Sequence, residues 1–196
     1  MIMSFTFMII VNFPNFIQRI IKNSQEVFYQ VQHGCKNCGY AGNLHKHATY
    51  QRTVICKEIT ARVTIQRVIC PDCRKTHALI PANLIPYFQH TIETILQLLE
   101  LIEIKKQSYS TIIKSFRKFN LSFSLGHIVL YIKRFKNNIA NIEYYFRVFA
   151  DVFLEPSGSG ALVISTITDK FDIGTLNVNY SYKMNSYFLS KVVIKR

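Results

Sequence analysis

Two Cys-x-x-Cys pairs constrain this chain more than any other feature: Cys35-Lys36-Asn37-Cys38 and Cys70-Pro71-Asp72-Cys73, with residues 39–69 between them. A pair at this spacing sits on a tight turn that aims both sulfurs at one point. Two such pairs brought together form a tetrahedral four-thiolate site of the kind that holds zinc. Cysteines that merely fill a core occur singly, which leaves the double pairing unexplained. The separation is longer than the roughly 15–20 residues usual between such pairs, so a long β-hairpin has to close it. Gly39 follows the first pair, where a positive φ is often needed, but Arg74 stands at the matching place after the second. An arginine there strains the turn by roughly 1 kcal/mol, small beside the ~10–16 kcal/mol of zinc binding in small zinc modules. Four protein thiolates leave the metal no open position, so the expected Zn²⁺ is structural and activates no water. Cys56, outside both pairs, reads as a small core residue of the hairpin, and His33, His45 and His47 as surface or partly buried histidines.

The segments around the pairs read as a sheet. Phe5 to Phe13 is short, β-branched and aromatic, which predicts a strand, and Asn15 to about Tyr29 predicts a helix. Leu44–Thr53 and Ile59–Ile69 predict two antiparallel strands. In the second, Val63, Ile65 and Arg67 alternate with Arg62, Thr64 and Gln66, the period of a half-buried strand. Thr76–Ile80 predicts a further short strand, ended by Pro81 and Pro86.

Helical spacing takes over beyond Pro86. Ile92, Ile95, Leu96, Leu99 and Ile102 form one apolar stripe, and Ile112, Ile113, Phe116 and Phe119 a second. Ile128, Ile132, Phe135, Ile139, Ile142 and Phe146 form a longer third. Ser110 and Ser124 are the expected N-caps of the second and third helices. Pro156-Ser-Gly-Ser-Gly160 reads as a linker, with strands predicted at Ala161–Ile167, Thr175–Tyr182 and Tyr187–Ile194. The resulting expectation is an α+β chain in three parts. Residues 1–89 form a four-cysteine zinc-ribbon sheet with its N-terminal strand and helix, 90–150 a three-helix, helix-turn-helix-like unit, and 151–196 a linker and β-rich tail.

Charge gives the helices a function to be tested. The chain holds 24 Lys+Arg against 11 Asp+Glu, a formal charge of +13 that favours polyanionic partners. Lys105, Lys106, Lys114, Arg117, Lys118, Lys133, Arg134 and Lys136 fall in a stretch with no acidic residue. Three amphipathic segments with a short break before Ser124 have the layout of a helix-turn-helix. With Ile128, Ile132, Phe135 and Ile139 facing the core, His127, Tyr131, Arg134 and Asn138 are expected on a more exposed flank, able to reach base edges or phosphates. Lys114, Arg117, Lys118, Lys133 and Lys136 are the expected phosphate contacts on double-stranded DNA.

Other classes fit poorly. The 49% hydrophobic content excludes wholesale disorder. The apolar N-terminus lacks a basic leader and a small-residue cleavage site, and Asn12 and Pro14 interrupt it far short of the roughly 20 residues that span a bilayer. Paired cysteines outside any disulfide framework suit a reducing cytoplasm, with the nucleoid the expected location of a DNA-bound chain. A nucleic-acid-cleaving enzyme of the two-metal carboxylate type needs three acids on a ribonuclease-H-like sheet, whereas Asp151, Glu155, Asp169 and Asp172 sit in too short a segment. No phosphate loop, His-Glu-x-x-His or Ser-His-Asp order is present either. The expectation is therefore no catalytic residue, no membrane and no small-molecule substrate.

Several motifs also carry a resemblance: Cys35-x-x-Cys-Gly-x-x-Gly-x-Leu-His45, Arg52, Arg67-Val-Ile-Cys-Pro-Asp-Cys-Arg-Lys-Thr-His-Ala-Leu-Ile-Pro81 and Leu84-Ile-Pro-Tyr-Phe88. Over roughly residues 8–146 the chain resembles short bacterial proteins related to the N-terminal zinc-ribbon and helix-turn-helix region of insertion-sequence transposases. That family largely carries a domain-of-unknown-function label. The resemblance implies zinc on Cys35, Cys38, Cys70 and Cys73 and DNA binding by the following helices, with Arg74 a departure from the usual Gly. Two other readings stand beside it: a protein-interaction ribbon serving a separate transposase subunit or a second copy, and a decayed transposase remnant.

Overall fold

The computed structural model describes residues 7–23, 28–56, 59–118, 121, 123–154 and 158–190. Its four-stranded sheet has the order β1-β4-β3-β2, from β1 (Phe7–Val11), β2 (His45–Cys56), β3 (Ile59–Ile69) and β4 (Thr76–Pro81). The predicted hairpin is present as an antiparallel β2–β3 ladder from His45↔Ile69 to Cys56↔Ile59, broken by one irregularity between Lys46 and Ala48. Its length is what brings the two cysteine pairs to the same end of the sheet. β4 pairs antiparallel with β3 and parallel with β1. The first predicted strand is seen at Phe7–Val11, while residues 5 and 6 lie outside the described residues.

β3 departs from the half-buried pattern. Val63 and Ile65 are buried on one face, but Thr64 and Gln66 are buried on the other. Polar pairing satisfies that second face: Thr64 Oγ1 accepts from Gln51 Nε2 at 2.8 Å, and Gln66 Oε1 accepts from the Gln30 backbone N–H at 3.0 Å. The helix predicted over 15–29 is a two-turn α1 (Phe16–Lys22), burying Phe16 and Ile20, after which Asn23 is extended. Residues 24–27 lie outside the described residues, and the Phe28 ring packs at a tilt against Phe13 and Phe16.

The helical part consists of α2 (Ile92–Glu103), α3 (Tyr109–Arg117) and α4 (Leu125–Phe149), with α5 (Gly160–Lys170) and α6 (Ile173–Met184) beyond. Thr91 caps α2. The cap of α3 is Ser108 rather than Ser110, accepting from the Thr111 N–H, so the helix begins two residues before the expected point. Ser124 caps α4 as expected, in a reciprocal box with His127.

The β-rich tail is corrected to helix. Ala161–Ile167 lies in α5 and Thr175–Tyr182 in α6, residues 187–190 contain a turn, and 191–196 lie outside the described residues. The run Leu-Val-Ile-Ser-Thr-Ile has strand-forming composition, but Gly160, Val163, Ile164 and Ile167 are buried at helical spacing under a Ser159 cap. Packing overrides propensity here.

Two apolar cores divide at residues 84 and 85. One holds the sheet and α1, the other the helices together with Phe188 and Leu189. Polar contacts stitch them. Arg52 on β2 donates through Nη2 to the carbonyls of Ile85 and Phe88. Asn177 on α6 donates to Ala82 O at 2.8 Å, and Tyr187 Oη donates to Met8 O at 3.3 Å. The C-terminal helices thereby pack on the rest of the chain.

Candidate functional site

The two cysteine turns are built alike. In the first, Cys35 N donates to Tyr40 O at 2.7 Å and Gly39 N to Cys35 O at 3.0 Å; in the second, Cys70 N donates to Lys75 O at 3.0 Å and Arg74 N to Cys70 O at 3.1 Å. Gly39 (φ 78°) and Arg74 (φ 58°) occupy the same left-handed position, so Arg74 carries the strain foreseen for it. The first turn opens the chain toward β2 and the second joins β3 to β4, so the sheet itself holds the turns face to face.

Their four sulfurs form a metal-sized cluster. All lie within 4.8 Å of one another, with Cys35 Sγ 3.6 Å from Cys73 Sγ and Cys38 Sγ 3.7 Å from Cys70 Sγ. A tetrahedral ion with bonds of about 2.3 Å requires ligand sulfurs about 3.8 Å apart, so the arrangement fits one four-coordinate metal. Among the described residues this is the one cluster of metal-ligating side chains, and His33, His45 and His47 are not in it. Cys56 is buried in the sheet core, and no disulfide joins the cysteines.

The thiols do not ionise alike. Cys73 is lowered to about 6, chiefly because the Lys75 backbone N–H donates to its sulfur. At Cys38 the Tyr40 N–H pulls downward, but desolvation and the neighbouring sulfurs outweigh it and raise the group to about 12. Burial raises Cys35. A metal in the cage takes the place of the protons these groups share.

Sequence reasoning missed His77. Its Nε2 lies 3.3 Å from Cys35 Sγ, and the ring is fully buried. Burial, then the charge of Lys36, lowers its pKa. No spacing signal marks it, because its contact with Cys35 joins residues 42 apart in sequence and is made only by the fold.

The expected DNA-contact residues divide in two. Lys114, Arg117, Lys118 and Lys133 are exposed on α3, its C-cap and α4, and Arg134 is half-buried. Lys136 is exposed but lies 3.6 Å from Glu103, and Lys105 pairs with Glu100 at 2.9 Å. His127 is half-buried, its Nδ1 accepting from the Ser124 N–H at 3.4 Å. Tyr131 and Asn138 are not on an exposed flank. Tyr131 is 2% exposed, its hydroxyl 2.8 Å from His90 Nδ1, and Asn138 is fully buried, donating to Arg134 O and Ser190 O. α4 is covered on more of its circumference than one apolar stripe implies, because Phe88, His90 and Phe123 surround Tyr131 and the 190 region covers Asn138. The exposed stripe instead begins with Leu125 and Val129.

A family model described as a domain of unknown function, DUF6431, matches residues 35–119, from the first cysteine through the end of α3. No curated protein and no solved structure matches the chain. No described helix is long and apolar enough to cross a membrane.

Proposed function

We propose that this chain is a zinc-braced DNA-binding protein, related to the DNA-binding region of insertion-sequence transposases, with α3 and α4 acting as a helix-turn-helix. The observation that carries the reading is the exposure of Lys114, Arg117, Lys118 and Lys133 within a stretch of sequence that holds no acid. A surface of this kind attracts phosphates and releases counterions on binding. Cys35, Cys38, Cys70 and Cys73 would hold the metal, and an all-thiolate donor set suits zinc. The bound ion supplies a cross-link between the two turns. It fixes the end of the hairpin, and Arg52 carries that rigidity to the segment beneath Tyr131 and α4. Tyr131 and Asn138 act as packing residues of α4, which leaves Lys133 and Arg134 as its basic contacts. The chain is proposed to do no catalysis alone; metal-dependent DNA cleavage by the purified protein would overturn that.

A second reading rests on a different surface. Tyr144, Val148 and Phe149 near the end of α4 and Tyr182 on α6 are exposed, and Lys183 Nζ lies 5.7 Å from the Phe149 ring and 5.8 Å from the Tyr182 ring. Exposed aromatics of this kind favour a protein partner, such as a transposase subunit or a second copy.

Fluorescence anisotropy with a labelled duplex tests the first reading. Changing Lys114, Arg117 and Lys118 to Gln is expected to weaken binding across all sequences, with metal content unchanged. Unaltered affinity would overturn it.

A further inference from the structure

We propose that His77 belongs to the metal centre as a positioning residue, its Nε2–H capping the Cys35 sulfur and making that thiolate less reactive than the exposed Cys38. The inference rests on the reading of the four cysteines as a metal site and adds a fifth residue to it. Contact and enclosure support it together. Nε2 is 3.3 Å from Sγ, His77 is fully buried, and Cys35 is 5% exposed, buried like Cys70, whereas Cys38 is exposed.

The strand fixes the ring's place. His77 lies in the register of β4 opposite Phe7 of β1 on one side and Val68 of β3 on the other, so its backbone is held by neighbours at both edges. The Asn37 backbone N–H also approaches Cys35 Sγ, at 3.4 Å, and the Cys38 N–H donates to it too, so this sulfur has donors from its own turn as well as a neighbour from the sheet. The ring lies outside the cluster of four sulfurs and acts on it as a donor, with the cysteines alone as ligands.

An N–H···S bond draws electron density from a thiolate. It lowers the sulfur's nucleophilicity and orients its lone pairs, the usual work of groups just outside a metal's ligands. The centre therefore has two sides: a protected one at the capped Cys35 and the buried Cys70, and an accessible one at Cys38 and Cys73 where electrophiles and oxidants arrive first.

The test uses the full chain loaded with Co²⁺, comparing wild type, His77→Leu and His77→Gln, whose amide N–H reaches the place of Nε2. All three are expected to bind one cobalt per chain. The sulfur-to-cobalt charge-transfer band moves to lower energy in His77→Leu and returns toward wild type in His77→Gln. Affinity measured by chelator competition falls about 10- to 100-fold in the Leu variant and recovers in Gln.

One cobalt per chain with an unmoved band in His77→Leu, or a Gln variant no better than Leu, overturns the role of His77 alone. A wild-type chain that takes no cobalt overturns the metal reading and the cap with it. A measurement without substitution guards against a variant that fails to fold. In the ¹¹³Cd-loaded wild type, the Nε2–H proton of His77 should show scalar coupling to cadmium across the hydrogen bond, and absence of that coupling overturns the proposal.

Discussion

Arg52→Met isolates the link between the sheet and the helices. The guanidinium reaches from β2 to the carbonyls of Ile85 and Phe88, the segment where the two apolar cores divide. Burial lowers its pKa, but an arginine stays charged, so both bonds are charge-assisted. Each such bond contributes about 1.5–3 kcal/mol, and the variant leaves the Phe88 carbonyl without this partner while Ile85 O keeps the Phe88 N–H at 3.1 Å; relief of guanidinium desolvation offsets part of that, for a net loss of about 2–4 kcal/mol. At about 2–4 °C per kcal/mol for a chain of this size, the melting temperature falls by roughly 4–16 °C. Urea denaturation of the metal-loaded protein, followed by circular dichroism, should show a lower midpoint with an unchanged slope and metal content. Arg52→Lys recovers only part of the loss, because an ammonium lacks the planar fork. A loss under about 1 kcal/mol for the Met variant would mean that Arg52 does not link the two cores, since it falls below the contribution of a single bond of this kind.

Three further outcomes follow from the same geometry. Arg74→Gly relieves a left-handed arginine but adds chain entropy to the unfolded state, for a net gain of about 0.5–1 kcal/mol, while Gly39→Ala, with nothing within 4 Å of an added Cβ, loses about 1 kcal/mol from backbone strain alone; paired urea melts check both. Asp172 Oδ2 accepts from the Thr175 N–H at 2.8 Å, which lowers its pKa, so its contribution is present above about pH 4 and is lost as pH falls through the lower folded value. Asp172→Ala should lose about 1 kcal/mol at pH 7, and Asp172→Asn should keep the cap and remove this pH dependence, read from urea midpoints at pH 3 and 6. Removing the metal with a chelator should melt the ribbon, seen as lost amide protection in β3 and β4 by hydrogen exchange; protection equal to the loaded form would contradict the brace.

The sheet was legible because its determinants are local. The Cys-x-x-Cys pairs mark two turns, and β-branched runs between and after them mark β2, β3 and β4 to within a few residues. The three central stripes were legible for the same reason. What escaped depends on tertiary neighbours. The Leu162–Ile167 run becomes helical because Val163, Ile164 and Ile167 meet a core already built by α2 and α4, and β3 is polar on a buried face because Gln30 and Gln51 come to meet it. Tyr131 and Asn138 share a flank with Arg134 on a helical wheel, but a wheel does not show that His90 and Ser190 occupy that side. At the candidate metal site the four cysteines could be read from spacing, whereas His77 could not, because its contact with Cys35 joins residues 42 apart in sequence.

The proposed binding of duplex DNA by exposed cations on α3 and α4 would show in the slope of log affinity against log salt concentration. A steep linear fall is expected for the metal-loaded wild type. Changing Lys114, Arg117, Lys118 and Lys133 to Gln should reduce that slope by up to about 0.9 for each phosphate contact removed. Affinity that does not change with salt, or a slope identical in the two proteins, would contradict it.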